Sequence, residues 1–125
     1  ISIVISGISE GDERRNIDNL MTNLRKLVEE VNCGMFVVSH LKRVDSKTGH
    51  EEGIQTSLSH LRGSHSLAQL SDAVIGFERD QQSETENNIM TVRVLKNRFT
   101  GDTGVACDLI WNKDTGRLVE GNFDE

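Results

Sequence analysis

A chain of 125 residues with 20 acidic and 14 basic side chains, net −6, has the length of one domain and is too acidic for a basic coat around nucleic acid. Hydrophobic residues make up 35% of it, enough for a core, yet no stretch approaches the ~18 consecutive apolar residues of a membrane-spanning helix. Opening on Ile1-Ser2-Ile3-Val4-Ile5-Ser6 without a basic stretch, it is expected to be an internal piece of a longer protein rather than to start on a signal peptide. Cys33 and Cys107 lack CxxC spacing, so reduced thiols and a cytoplasmic location are expected.

Residues 1–6 read as a short apolar strand or buried loop. Ile17, Leu20, Met21, Leu24, Leu27, Val28 and Val31 then recur at helical spacing. That predicts an amphipathic helix over about 12–32, stopped by Asn32-Cys33-Gly34. The continuous apolar run at 35–39 has the pattern of a strand buried on both faces of a parallel sheet. From 41 to about 57 periodicity fails, and a loop that long is functional or disordered. A short helical stretch through Leu67 and Leu70 precedes a buried strand at 73–77. Strands at 89–95 and 105–111 follow, and residues 113–116 turn into a last strand at 117–119. The expectation is an α/β chain: an open, mixed, mostly parallel sheet with helices, ending in an antiparallel hairpin.

Several residues could carry chemistry. His40 closes the run at 35–39, and ligands of open α/β sheets bind beyond the carboxyl ends of strands. It suits a phosphate hydrogen bond, or equally a strand-end imidazole satisfied by backbone. Gln69 could orient a water or lie on a helix surface. Lys96 and Arg98, at i and i+2 after a strand, suit phosphate neutralisation or a solvated strand end. Lys42, Arg43, Lys47 and His50 form a basic strip in an acidic chain, able to follow a nucleic-acid backbone or to lie exposed. The four histidines show no metal-ligand spacing, so no metal site is expected. No GxxxxGK[ST] phosphate loop occurs anywhere in the chain.

Taken in order, His40-Leu41-Lys42, His50-Glu51-Glu52-Gly53, Leu61-Arg62-Gly63-Ser64, Gln69-Leu70-Ser71-Asp72, Glu78-Arg79 and the run from Leu95 to Gly104 resemble the replicative hexameric helicases of the DnaB and Twinkle type. Among these the series is most similar to the primase–helicases of T7-like phages. The resemblance implies that residues 1–125 are the C-terminal half of a RecA-like P-loop motor domain, with both Walker segments lying upstream. It implies NTP-driven 5′–3′ movement along single-stranded DNA and duplex unwinding. ATP or dTTP and Mg2+ would be held mainly by residues upstream of this chain. The implied partners are single-stranded DNA, further copies in a hexameric ring and a replisome polymerase, in an infected host's cytoplasm.

Residue by residue, the resemblance makes His40 the γ-phosphate sensor and Gln69 the coupling amide. Arg98 becomes the finger reaching a neighbouring subunit, with Lys96 beside it. Arg79 would lie near the nucleotide base, and Lys42 through Gly53 would be the DNA-gripping loop. Ala68 stands where the phage pattern has Arg, and Asp108 where it has a base-stacking aromatic. A RecA-type strand-binding ATPase, or a non-enzymatic module that packs or binds DNA, stays open as an alternative.

Overall fold

A computed structural model describes residues 10–41, 49–61 and 65–121 of the chain. They fall into two compact units, one formed by residues 10–41 with 59–61 and 65–71, the other by residues 49–58 with 72–121. Each is described by itself.

In the first unit the expected amphipathic helix is α1, Glu10–Val31. Its stripe buries Ile17 and Met21, which pack with Leu67 and with the partly buried Leu20, Leu24, Leu61 and Leu70. Arg25 and Glu29 pair one turn apart on its surface at 3.2 Å. The stop is set by Asn32 rather than Gly34: Asn32 takes the left-handed conformation at φ 56°. Its successor Cys33 donates its N–H to the Val28 carbonyl at 3.3 Å. This six-to-one closure is the Schellman arrangement, in which a short amide side chain tolerates the conformation otherwise left to glycine. The single-turn helix α2, Ser66–Gln69, follows in the same unit.

The apolar run at 35–39 is a point of difference. It has no ladder partner among the described residues, and Phe36 and Val38 stand 100% and 79% exposed. A strand needs at least one ladder neighbour beside it, and burial on both faces needs further layers packed above and below the sheet. The apolar pattern alone supplies neither.

The second unit is a four-stranded sheet in the order β1-β2-β3-β4: Ala73–Glu78, Ile89–Asn97, Gly104–Asn112 and Arg117–Glu120. All three ladders are antiparallel, so the mostly parallel pairing expected for the chain is absent from the described residues. Sequential strands joined by short turns pair with their neighbours, whereas parallel pairing needs crossover connections of a dozen residues or more. The ladder shifts register between Val74 and Ile75 and again between Val92 and Arg93. Along β1, exposed Ile75 and Phe77 alternate with buried Gly76 and Glu78, the two-residue period of a sheet with two unlike faces.

Candidate functional site

The best-ordered chemistry of the second unit lies on the Gly76 and Glu78 side of β1. The Glu78 carboxylate is buried and accepts four hydrogen bonds. Its Oε1 takes the Thr56 N–H at 2.7 Å, the Thr56 hydroxyl at 2.9 Å and Arg93 Nε at 2.7 Å. Oε2 takes Arg93 Nη2 at 3.3 Å. Burial pushes this carboxyl upward, but the Arg93 guanidinium and the two Thr56 donors outweigh it and hold it below its ordinary range. The same contact raises Arg93. Gly76 opposes Arg93 in the ladder. A Cβ there would run into the Thr56 hydroxyl and lie 3.3 Å from Leu95 Cδ1, so only glycine lets Thr56 close onto the sheet. Thr56, 2% exposed, thereby anchors the end of the segment read as a featureless loop.

Earlier in that segment His50 and Gly53 belong to a tight turn. Gly53 donates to the His50 carbonyl at 3.2 Å, and Glu52 to that of Gly49 at 3.1 Å. Gly53 has φ +76°, and a Cβ there would meet Asp80 at 3.1 Å. The turn is tied to the chain beyond β1 by the Glu52–Asp80 bridge and by Gln81 donating to the Glu51 carbonyl at 2.8 Å. Lys42, Arg43 and Lys47, the basic half of the expected loop, lie outside the described residues.

Arg79 donates Nε to the Asn87 carbonyl at 2.5 Å, pinning the 80–88 turn. With Glu52, Gly53, Glu78, Asp80 and Glu86 it lines a cleft of about 190 Å³. Four carboxylates against one guanidinium make that cleft unfavourable for phosphate. Asp108 accepts the Thr91 hydroxyl across the β2–β3 ladder at 2.6 Å.

Lys96 lies in β2 opposite Val74, and Arg98 lies one residue past the strand's end. A side-chain turn shapes this end. Asn97 Oδ1 accepts the N–H groups of Phe99 at 3.1 Å and Thr100 at 3.3 Å. Gly101, at φ +78°, donates to the Asn97 carbonyl at 2.8 Å. Arg98 is fixed from the other side by Asp72, whose carbonyl accepts its N–H at 2.9 Å and whose Oδ1 accepts Nη1 at 2.8 Å. The guanidinium side chain stays 59% exposed. In short, an arginine stands at the tip of a braced turn.

Two further expected residues sit in the first unit. His40 is exposed, one residue before Leu41 bridges to Leu61, which packs on the core. Gln69 ends α2, a helix that buries Leu67 and turns Gln69 outward. Its N–H goes to the His65 carbonyl at 3.0 Å, and Ser71 Oγ caps the Leu67 carbonyl at 2.5 Å. Both side chains can therefore meet something outside the chain. Among the described residues no group of three His, Cys, Asp or Glu side chains could hold a metal ion.

The sequence profile of the DnaB-like helicase C-terminal domain matches residues 3–120. The chain belongs to that family. Over 123 residues, 98% of its length, it is 45% identical to the DNA helicase/primase of Enterobacteria phage T3, of which it spans 22%. The family assignment agrees with the resemblance carried by the sequence and implies a RecA-like α/β core. Thr56, Gly76 and Arg93 are the residues sequence reasoning missed, while Asp72 and Glu78 entered it only within resembling runs and without a role. Only the lone glycine within the β1 pattern signalled a close approach.

Proposed function

We propose that this chain is the C-terminal half of the motor domain of a ring-forming replicative DNA helicase, powered by hydrolysis of ATP or dTTP. The observation that supports this best is Arg98, braced on both sides of its backbone yet presenting an exposed guanidinium. Its backbone is held while its guanidinium stays open to a partner outside the chain.

Phosphoryl transfer to water calls for charge neutralisation more than covalent chemistry, and an arginine supplied across a subunit interface contributes ~10³–10⁵ in rate. Arg98 would place that charge on a neighbouring subunit's nucleotide, with the Lys96 ammonium beside it as a mobile second cation. His40 and Gln69 would hydrogen-bond the terminal phosphate of this subunit's own nucleotide and lose that contact on hydrolysis. The basic loop from Lys42 to Gly53 would hold the single-stranded DNA backbone, with Thr56 and the Gly49–Gly53 turn fixing its far end. Mg2+ would neutralise phosphate charge using ligands outside the described residues. Because the chain has no phosphate loop, hydrolysis would need the segment that supplies one, and the 125 residues alone would not turn over nucleotide.

The test uses the complete gene product that carries this chain. Arg98→Ala is expected to keep nucleotide binding and lose DNA-stimulated hydrolysis by ~10³ or more. Adding it to wild-type subunits should poison turnover beyond simple dilution. Wild-type turnover in Arg98→Ala would overturn the reading. Filaments with strand exchange in place of rings with unwinding would favour the strand-binding ATPase.

A further inference from the structure

Asp72 belongs to none of the roles above, yet it is the described residue that holds the Arg98 guanidinium. It lies just before β1 and Arg98 just after β2, and the Ala73–Asn97 pairing brings the two together. The contact is double: backbone N–H to carbonyl at 2.9 Å and Nη1 to Oδ1 at 2.8 Å. The side chains remain 59% and 37% exposed, and an ion pair that open adds little to a fold. Its consequence is directional. An unbraced arginine side chain is among the most mobile in rotamer terms and has much conformational freedom to lose on being ordered.

Guanidinium donors form a rigid planar fork, and a phosphate is best met by two of them in parallel. The Asp72 contact uses Nη1, and among the described residues Nε and Nη2 make no hydrogen bond. That leaves the Nε–Nη2 edge for an anion while Nη1 stays on its carboxylate. The Asn97-centred turn fixes the backbone on the far side, so the residue is oriented at main chain and at head group alike.

We propose that Asp72 is a positioning residue for Arg98, holding the guanidinium by Nη1 so that its Nε–Nη2 edge faces the phosphate oxygens of the nucleotide in the adjoining subunit. This rests on the reading of Arg98 as a phosphate-facing cation. Asp72 touches no substrate. It acts through the guanidinium by setting its direction and by keeping it extended before the nucleotide arrives.

The experiment is a double-mutant cycle on the complete gene product, reading kcat and KM for single-stranded-DNA-stimulated NTP hydrolysis. Asp72→Ala is expected to lower kcat ~10-fold with KM little changed, the signature of lost orientation. Asp72→Asn keeps an oxygen acceptor and should lose ~3-fold. In an Arg98→Ala background both changes should cost nothing further, because residues acting through one group are not additive. Ring assembly and thermal midpoint are measured alongside. Wild-type kcat in Asp72→Ala overturns the proposal, as does a loss of equal size on the Arg98→Ala background. If Asp72→Ala does not fold, Asp72→Asn decides: wild-type kcat there means that Asp72 serves the fold alone. An Arg98→Ala enzyme with wild-type kcat is a different failure, that of the reading on which Asp72 depends.

Discussion

Two turns of the sheet are built to one plan. Asn97-Arg98-Phe99-Thr100-Gly101 closes β2, and Asn112-Lys113-Asp114-Thr115-Gly116 closes β3. In each the asparagine Oδ1 accepts the N–H groups two and three residues on, at 3.1 and 3.3 Å in the first and 2.9 and 3.1 Å in the second. In each a glycine of positive φ donates back to the asparagine carbonyl, at 2.8 and 2.9 Å. The cation occupies the same second place in both. What separates them is outside the turn. Asp72 reaches Arg98 from the start of β1, whereas the hairpin strand of the second turn simply continues into β4. Turn chemistry supplies the shape, and a residue distant in sequence converts one of two like cations into an oriented one.

The sharpest way to break that comparison is to truncate both cations. In the complete gene product Arg98→Ala should lower DNA-stimulated hydrolysis by ~10³ or more, while Lys113→Ala should leave it unchanged. Equal losses, read as kcat on single-stranded DNA, would show that charge at a turn tip is all that matters. Next in size is the Glu78 network at the other end of the β1–β2 ladder. Glu78→Ala strands the Arg93 guanidinium and both Thr56 donors, a loss of about 3 kcal/mol on the scale of a half-broken buried pair. Chemical denaturation of the chain measures it, and a midpoint within error of wild type would mean the network contributes nothing.

Acid should act through the same group. Glu78 is held below its ordinary 4.5 in the folded chain, so the unfolded chain binds its proton first as pH falls. The stability it contributes is therefore complete above about 4.5 and is lost as pH falls through the lower folded value. Between pH 7 and 3 the wild-type thermal midpoint should drop more steeply than that of Glu78→Gln, which has no carboxylate to titrate. Parallel curves would assign the acid sensitivity elsewhere.

Local order was legible to different degrees along the chain. The α1 stripe, the three long strands and the closing hairpin follow from patterns that repeat within a few residues, and they lie within a residue or two of where periodicity places them. Arg98 stands in a run of sequence that resembles the family's, and its role rests on that resemblance. The side-chain contacts between distant residues were not legible. Thr56 reaches Glu78 across 22 positions, Arg93 reaches Glu78 across 15, and Arg98 reaches Asp72 across 26. No window of helical or strand period spans such gaps. The run at 35–39 shows the converse, since its apolar pattern is real but a strand is a property of two segments.

The smallest expected effect bears most directly on whether shape and orientation are separable. Asn97→Ala and Asn112→Ala each remove one side-chain acceptor and strand two N–H groups, which water reaches because both turns are exposed. Each should cost about 1 kcal/mol of stability, the scale of a lost cap. If the turns are equivalent as structure, the two denaturation midpoints fall together. Hydrolysis should then divide them: Asn112→Ala keeps wild-type kcat, and Asn97→Ala loses ~3-fold because the backbone carrying Arg98 loosens while Asp72 still holds the guanidinium. Equal stability with equal kcat would mean that Asp72 alone is enough to aim Arg98. Unequal stability would mean that the β2 turn bears load that its twin does not.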